Sequence, residues 1–215
     1  MSSINIFYHV LCINDFKGRF DKTYTKIKNS GLLDRVASIH VICVGEYKAE
    51  GAEYFKKYEK VITYTDDNSS DESPTLIRLW EFCQHNDTNV LYLHSKGVTR
   101  AYNENIEAWI DYMEYFCIEQ YEKCLKALQQ YDTCGVNFSH EPMKHYSGNF
   151  WWANGNFIKS RSIYDVSLSS KINDQRWYCE FWLLDTLNVN PVSMHQTNLD
   201  LYTTKYTREQ YERNS

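Results

Sequence analysis

The strongest constraint on the fold is a regular alternation of strand-like and helix-like segments in the first 97 residues. Short apolar runs rich in β-branched and aromatic residues occupy residues 4–11, 38–44, 61–64 and 89–93. The segments between them carry apolar residues at helical spacing, as at Phe20, Tyr24 and Ile27. This order predicts an α/β fold with a mixed, mostly parallel central sheet flanked by helices, in which the first strand is central.

The second half of the chain predicts further elements in a less regular order. We expect a long helix over residues 104–130, strands over 134–138 and 150–157, a helix around 175–187, a strand near Val192 and a charged surface tail over 205–215. The 215 residues, 43% of them hydrophobic, suffice for one sizeable core. We therefore interpret residues 1–215 as a single domain, and the polar C-terminal end also fits the N-terminal part of a longer multidomain protein.

Composition argues against several classes of partner. The formal net charge is −5 and lysines and arginines form no run, whereas a nucleic-acid backbone attracts a basic surface. No apolar stretch approaches the roughly 20 residues that span a bilayer, and no signal-peptide pattern opens the chain. Seven cysteines without a CxxC pair favour buried free thiols. We expect a cytoplasmic protein that neither binds nucleic acid nor inserts into membranes.

The strand over residues 89–93 ends in a polar loop, His94-Ser95-Lys96, closed by Gly97. Ligands of open α/β sheets bind at such carboxyl ends of strands. The Lys96 ammonium suits a pyrophosphate, whose charge grows as it departs, and Ser95 and nearby backbone amides add donors. The alternative is an ordinary solvated turn between a strand and a helix.

A second polar and aromatic cluster lies at residues 149–154. Asn149 and Asn154 offer amides, and Trp151 and Trp152 offer indole rings. Amides suit the hydroxyl edges of a sugar, and indoles suit its apolar faces. Because neighbouring side chains of a strand face opposite ways, only one of the two tryptophans is expected to line a pocket. The alternative is an aromatic strand of the core.

Arg176 and Glu180 stand four residues apart in the expected helix and therefore share one face. Glu180 is a candidate general base for an acceptor hydroxyl, with Arg176 orienting it, and Asp185 is a weaker candidate. A surface ion pair is the alternative. His9, His94 and His195 lie at predicted strand ends, where a ligand can reach them, but no two histidines have metal-ligand spacing.

Several nucleotide and hydrolase motifs are missing from the sequence. It contains no GxxxxGK[ST] loop, no GxGxxG after the first strand, no HExxH and no GxSxG. Because these motifs are missing, the sequence gives no support to a P-loop NTPase, a dinucleotide-binding enzyme, a zinc protease or a serine hydrolase.

The order of motifs resembles a known family. The segment LHSKG at residues 93–97, SGNFWWA at 147–153 and the later Arg176 and Glu180 resemble glycosyltransferase domains with the GT-A fold, found in bacteria and large DNA viruses and especially in chlorella viruses. The resemblance implies a nucleotide-diphospho-sugar transferase that uses a UDP-sugar, usually with Mn²⁺ or Mg²⁺. It also implies that a hexose or deoxyhexose, of glucose or rhamnose type, is transferred to a growing glycan. In a virus, that glycan would belong to the capsid glycoprotein, and the transfer would take place in the cytoplasm of the host cell.

The resemblance also implies site residues. The ends of the first and third strands would hold the uridine and Arg78 would reach the phosphates, so the donor site would comprise His9, Val10, Leu11, Thr65, Asp66, Arg78, His94, Ser95 and Lys96. The family's Asp-x-Asp metal motif is missing, because His94-Ser95-Lys96 stands in its place. Lys96 would then replace part of the metal's role, with His94 and His195 as softer ligands.

Two other functions compete with this interpretation. A non-catalytic module that binds a nucleotide sugar or a glycan would account for the amides and aromatic rings without a role for Glu180. A nucleotidyltransferase would share the α/β framework, but such enzymes use acidic metal ligands and a glycine-rich loop near the first strand, and neither is evident here.

Overall fold

The first half of the chain folds as four parallel strands joined by helices. The structure is a computed structural model that describes residues 3–67, 71–163 and 177–213. The strands are β1 (Ser3–Leu11), β2 (Ser38–Val44), β3 (Val61–Thr65) and β4 (Thr88–His94). The helices are α1 (Phe16–Asn29), α2 (Leu32–Arg35), α3 (Lys48–Phe55) and α4 (Ser73–His85). β1 pairs with both β2 and β4 and is buried beyond Ser3, which confirms that it is central.

The second half supplies shorter strands. These are β5 (Thr133–Gly135), β6 (Phe138–Ser139), β7 (His145–Tyr146), β8 (Trp151–Asn154) and β9 (Pro191–Ser193). Seven of the described strands form one sheet in the order β3-β2-β1-β4-β8-β5-β9, in which only β8 runs antiparallel to its neighbours. β6 and β7 form a separate antiparallel pair. The predicted mixed, mostly parallel sheet is confirmed.

The helix predicted over residues 104–130 is interrupted. It consists of α5 (Glu104–Glu114), a π-helical turn (Tyr115–Glu119) and α6 (Tyr121–Ala127). Four consecutive residues of the π turn are buried, and the Cys117 carbonyl oxygen accepts a hydrogen bond from Trp152 Nε1 at 2.8 Å. A side chain that bonds into the helical ladder is a common cause of such interruptions.

The remaining helices are α7 (Gly155–Ser160), α8 (Trp177–Phe181) and α9 (Arg208–Glu212). The strand predicted over 150–157 was wrong beyond Asn154, whose side chain accepts a hydrogen bond from the Asn156 amide and caps α7. The strand predicted over 134–138 ends at Gly135, because Asn137 adopts a left-handed conformation with φ 48°.

The described part of the C-terminal tail keeps most of its charged residues exposed, as predicted, but two buried tyrosines, Tyr206 and Tyr211, anchor it to the domain. Tyr211 of α9 is fully buried, and its hydroxyl donates to Asp111 at 2.6 Å. Thr207 and Gln210 form a capping box that starts the helix. All seven cysteines are buried and none is in a disulfide, as predicted. Within the described ranges, no helix is long and apolar enough to cross a membrane.

Candidate functional site

A cleft of about 250 Å³ opens at the carboxyl ends of β1 and β4. His9 and His94 are partners in the parallel register, so the two strands deliver one imidazole each to this edge. The charged and titratable groups that line the cleft are His9, Asp71, Glu72, His94, Lys96, Arg100 and Glu180. The cleft therefore combines the predicted phosphate-binding loop with the predicted base.

Backbone and side-chain hydrogen bonds fix the loop after β4. The Ser95 amide donates to the His9 carbonyl oxygen at 2.9 Å, and Ser95 Oγ accepts from the Leu11 amide at 2.9 Å. Gly97 follows with φ +87°, a conformation that glycine adopts without strain. Ser95 thus serves to hold the β1 and β4 ends together, and Lys96 projects from a rigid support.

Lys96 is a partly buried cation. Its Nζ lies 3.9 Å from the centre of the Trp109 ring. Burial lowers the Lys96 pKa to about 8, while the carboxylates of Glu180 and Glu72 oppose that shift. The amine is therefore mostly protonated at pH 7 but weakly solvated, which favours capture of an anionic ligand.

The two histidines of the cleft are neutral at pH 7. Burial lowers the pKa of His9 and that of His94 to about 4. His94 Nε2 lies 2.9 Å from the Gly148 carbonyl oxygen, which can only accept, so this nitrogen carries the proton. His9 Nδ1 lies 3.0 Å from Thr75 Oγ1.

Glu72, at the N-terminus of α4, is a cleft residue that no sequence pattern singled out, as are Asp71 and Arg100. Its Oε2 accepts hydrogen bonds from the Tyr92 hydroxyl at 2.7 Å and from Asn149 Nδ2 at 2.6 Å. Its Oε1 lies 3.6 Å from His94 Nδ1. The only available signal was its position directly before the Ser73-Pro74 helix start, because an acidic loop gives no indication of burial.

Glu180 lies on α8 and faces the same cleft as Lys96. Burial and the nearby Glu72 carboxylate raise the Glu180 pKa, while Lys96 and His94 oppose the shift. Arg176 lies outside the described residues, so its orienting role stays a prediction. Asp185 is exposed and does not line the cleft, and its backbone carbonyl accepts from Arg161. The structure therefore brings Glu180, and not Asp185, to Lys96.

The two tryptophans of the second motif both belong to the core. Trp151 stacks on Tyr92 at 4.8 Å between ring centres, and both indoles are at most 1% exposed. Trp152 Nε1 donates to the Cys117 carbonyl oxygen of the π turn at 2.8 Å, so the side chains on both faces of β8 pack against other parts of the domain. The expectation that one tryptophan faces a pocket is therefore not met. Asn149 lies beside the cleft, because its side-chain amide donates a hydrogen bond to the cleft residue Glu72. Asn154 instead pairs with Asn89 near the opposite end of β4.

The residues implied for the nucleotide fall into two places. Thr65, Asp66 and Arg78 share a separate pocket of about 340 Å³ at the ends of β2 and β3. The Arg78 guanidinium lies 4.0 Å from the centre of the Tyr64 ring in that pocket. Leu11 lines the Lys96 cleft, but Val10 is fully buried and offers no contact to a ligand.

The proposed metal ligands His94 and His195 do not share a site. His195 Nδ1 lies 3.0 Å from the Tyr112 hydroxyl, its ring stacks on Phe116, and it does not line the cleft. Among residues 3–67, 71–163 and 177–213, no three or more histidine, cysteine or acidic side chains are arranged to hold a metal ion. The described side chains therefore do not fit a resident metal ion.

Solved structures share this architecture at low sequence identity. A 4-diphosphocytidyl-2C-methyl-D-erythritol synthase from Anaerococcus prevotii aligns with a TM-score of 0.51 at 10% identity, over 99% of this chain and 96% of that one. HddC from Yersinia pseudotuberculosis aligns with a TM-score of 0.50 at 9% identity, over 99% and 97%. A putative nucleotide-diphospho-sugar transferase from Desulfovibrio desulfuricans aligns with a TM-score of 0.44 at 13% identity, over 91% and 81%.

The first two alignments show a common fold and carry no conclusion about activity. No curated protein sequence matches this chain. Residues 7–162, well over half of the chain, match the family described as a domain of unknown function, DUF8361. The chain therefore belongs to the DUF8361 family.

Proposed function

We propose that this protein is a glycosyltransferase that moves a hexose or deoxyhexose, of glucose or rhamnose type, from a UDP-sugar to a hydroxyl of a growing glycan. The observation that carries the proposal is the presence of Lys96 and Glu180 in one cleft at the sheet edge. The first residue provides a weakly solvated cation for a leaving pyrophosphate. The second provides a carboxylate whose raised pKa lies closer to the range of a general base at neutral pH.

The chemistry assigns one step to each residue. The acceptor hydroxyl oxygen forms a bond to the anomeric carbon as the bond from that carbon to the β-phosphate oxygen breaks. Glu180 takes the hydroxyl proton, and UDP leaves with the bonding electron pair. Lys96 stabilises the charge that grows on the departing phosphate. Asn149 lies beside the cleft as a candidate sugar contact, bonded to Glu72.

The nucleoside is proposed to lie in the neighbouring pocket of Thr65, Asp66 and Arg78. This assignment rests on the resemblance to GT-A glycosyltransferases and on the grouping of those three residues in one pocket. The same resemblance, which extends to chlorella viruses, supports a viral capsid glycoprotein as the source of the acceptor glycan and the host cytoplasm as the place of action.

The balance of charge in the cleft affects whether Mn²⁺ or Mg²⁺ would bind together with the donor. Three carboxylates, Asp71, Glu72 and Glu180, face two cations, Lys96 and Arg100. A bound pyrophosphate adds further negative charge, so an accompanying divalent cation would be favourable. Since the described side chains form no ligand cluster, such an ion would be held mainly by phosphate oxygens and water. The proton and bond-breaking steps above are therefore assigned to protein residues alone.

A nucleotidyltransferase is the second candidate, because a structural neighbour is named for a diphosphocytidyl product. The presence of a candidate base, Glu180, in the cleft favours a sugar transferase over a nucleotidyltransferase. An ionised phosphate nucleophile has no proton to lose, whereas a hydroxyl nucleophile needs a base. A non-catalytic sugar-binding module would likewise need no titratable group with a raised pKa.

Product analysis separates the three candidates. The protein would be incubated with UDP-glucose or UDP-rhamnose and a mixture of short glycan acceptors, and separately with CTP and a sugar phosphate. The proposal expects UDP release that depends on the acceptor and on Glu180. Release of pyrophosphate from CTP would identify a nucleotidyltransferase instead. Binding of UDP-sugar without turnover under any condition would identify a binding module.

A further inference from the structure

Two atoms that accept hydrogen bonds face each other in the cleft. His94 Nδ1 and Glu72 Oε1 are 3.6 Å apart, beyond the distance of a hydrogen bond. His94 donates through Nε2 to the Gly148 carbonyl, and its low pKa leaves Nδ1 with a lone pair at pH 7. The nitrogen therefore presents a lone pair towards a carboxylate oxygen.

The surrounding contacts hold both atoms in place. Tyr92 and Asn149 both donate to Glu72 Oε2, which stabilises the carboxylate and leaves Oε1 directed at His94. The His94 ring packs edge-on against Phe150 at 5.3 Å between centres. The side chains of His94 and Glu72 are 15% and 17% exposed and line the cleft, so a ligand can reach them without a rearrangement of the fold.

A pair of fixed acceptors recognises a group that carries donors. We propose that His94 Nδ1 and Glu72 Oε1 together bind hydroxyls on adjacent carbons of the transferred sugar, which makes Glu72 a residue that determines sugar specificity. This inference rests on the proposed function and adds to it the part of the substrate that is recognised. One hydroxyl donates to the imidazole and its neighbour donates to the carboxylate, so a sugar that lacks either hydroxyl leaves a partly buried acceptor unpaired.

The substitution Glu72→Gln provides a discriminating variant. The glutamine oxygen can still accept from Tyr92 and Asn149, and its amide group can donate directly to His94 Nδ1. The variant therefore satisfies His94 from within the protein and removes the acceptor that the sugar needs. We expect its Tm to stay within about 2 °C of the wild type, because no buried hydrogen bond is lost.

Calorimetric titration of the whole protein with UDP, UDP-glucose and UDP-galactose tests the inference. Glu122→Gln, the same change at an exposed position of α6, is the matched control. In the wild type and the control, one UDP-sugar should bind more tightly than UDP. In Glu72→Gln, the affinity for UDP should change only slightly, through the effect of Glu72 on the Lys96 pKa, whereas the affinity for that sugar donor should fall about 10- to 100-fold.

Several outcomes would overturn the inference. It fails if the wild type binds UDP but binds no UDP-sugar more tightly, if Glu72→Gln keeps the advantage of the sugar donor, or if the variant loses UDP and UDP-sugar equally. Should Glu72→Gln not fold, deoxy analogues of the preferred donor replace it. Binding of every singly deoxygenated sugar as tightly as the parent would then refute the inference.

The proposed function can fail separately. If the wild type binds no nucleotide at all, the donor assignment is wrong, and free glucose and galactose then test the hydroxyl site. The ¹⁵N signal of His94 Nδ1 should shift on hexose addition in the wild type and stay constant in Glu72→Gln. Absence of a hexose-dependent shift in the wild type would refute the hydroxyl site.

Discussion

Lys26 and Lys96 are both partly buried lysines, but their environments shift their pKa values in opposite directions. Burial lowers the Lys26 pKa, but the carboxylates of Glu114 and Asp111 overcome that effect and raise it above its usual value. Lys26 Nζ lies 2.7 Å from Glu114 Oε2. Burial also lowers the Lys96 pKa, and there the carboxylates lie too far away to reverse the shift, so it falls to about 8.

The comparison extends to the two depressions that these lysines line. The groove beside Lys26 has a volume of about 720 Å³ and the cleft beside Lys96 about 250 Å³, so size alone would favour the wrong one. In the groove, cations meet carboxylates directly, as at Arg19 with Glu107 and Lys205 with Glu104. A side chain whose charge is already paired with an opposite charge attracts a charged ligand only weakly. The cleft instead places the Lys96 ammonium and the Glu180 carboxylate together with shifted pKa values, which is typical of a functional site.

The largest effect is expected for Glu180→Gln. If Glu180 is the proposed general base, its removal should lower the rate of transfer by about 10²- to 10⁴-fold, whereas donor affinity should change far less because such a base acts on the acceptor hydroxyl. Steady-state transfer rates and UDP-sugar affinity would be measured on the same protein, with Asp185→Asn as the control on a nearby exposed carboxylate. Equal losses of rate and donor affinity would show that Glu180 is structural.

Lys96→Met should weaken UDP binding by about 100-fold, because a charge-assisted hydrogen bond to phosphate is lost. The Tm should stay level or rise, since the folded state no longer holds a poorly solvated ammonium next to Trp109. Calorimetry and thermal unfolding would measure both quantities. A variant that binds UDP normally would remove Lys96 from the phosphate site.

Lys26→Met should show the reverse pattern. Glu114 is 3% exposed and would be left without its ammonium partner, which should lower the free energy of unfolding by about 3 kcal/mol. UDP affinity of the folded protein should be unchanged. Denaturant unfolding would measure the loss. If Lys26→Met instead reduced UDP affinity as strongly as Lys96→Met does, the assignment of UDP to the cleft and not to the groove would be wrong.

The smallest effect is the dependence of binding on pH. The Lys96 amine is protonated below its pKa of about 8 and neutral above it, so UDP affinity should be full at pH 7 and fall as pH rises through 8. Between pH 7 and 9 the protonated fraction of an amine with a pKa of about 8 falls about tenfold, and the UDP affinity should fall with it. Lys96→Arg keeps its charge in this range and should abolish the decline. The same decline in Lys96→Arg would assign the titration to another group.

The position of Lys96 was predictable because it depends on a general rule of sheet edges. An apolar strand followed by a polar loop and a glycine leads directly to the carboxyl end of β4. Glu180 was predictable only from its chemistry, since the pattern around residues 175–187 says nothing about which face meets the cleft. Glu72 was not predictable, because its burial depends on Tyr92 and Asn149 from distant parts of the chain.

The errors have physical causes of the same kind. Trp151 and Trp152 satisfy the alternation of a strand that has one free face, but Tyr92 and the π turn after α5 pack on the two faces of β8, and both indoles are buried. The charged residues after Lys205 suggest a surface tail, yet the rings of Tyr206 and Tyr211 pack against Tyr112 and anchor this segment. A local sequence pattern shows the periodicity of apolar residues. The burial of these side chains depends instead on contacts with residues that are distant in the sequence.

Thermal unfolding in the presence of nucleotides tests whether the protein binds the nucleotide part of a sugar donor. The wild-type protein would be heated with UDP, GDP, CMP or dTDP, each with and without Mn²⁺, because a ligand that binds only the folded state raises the Tm. We expect the Tm to rise with UDP, to rise further with UDP and Mn²⁺ together, and to stay constant with Mn²⁺ alone. No shift with any nucleotide would contradict this expectation and would leave the loop from His94 to Lys96 as an ordinary turn.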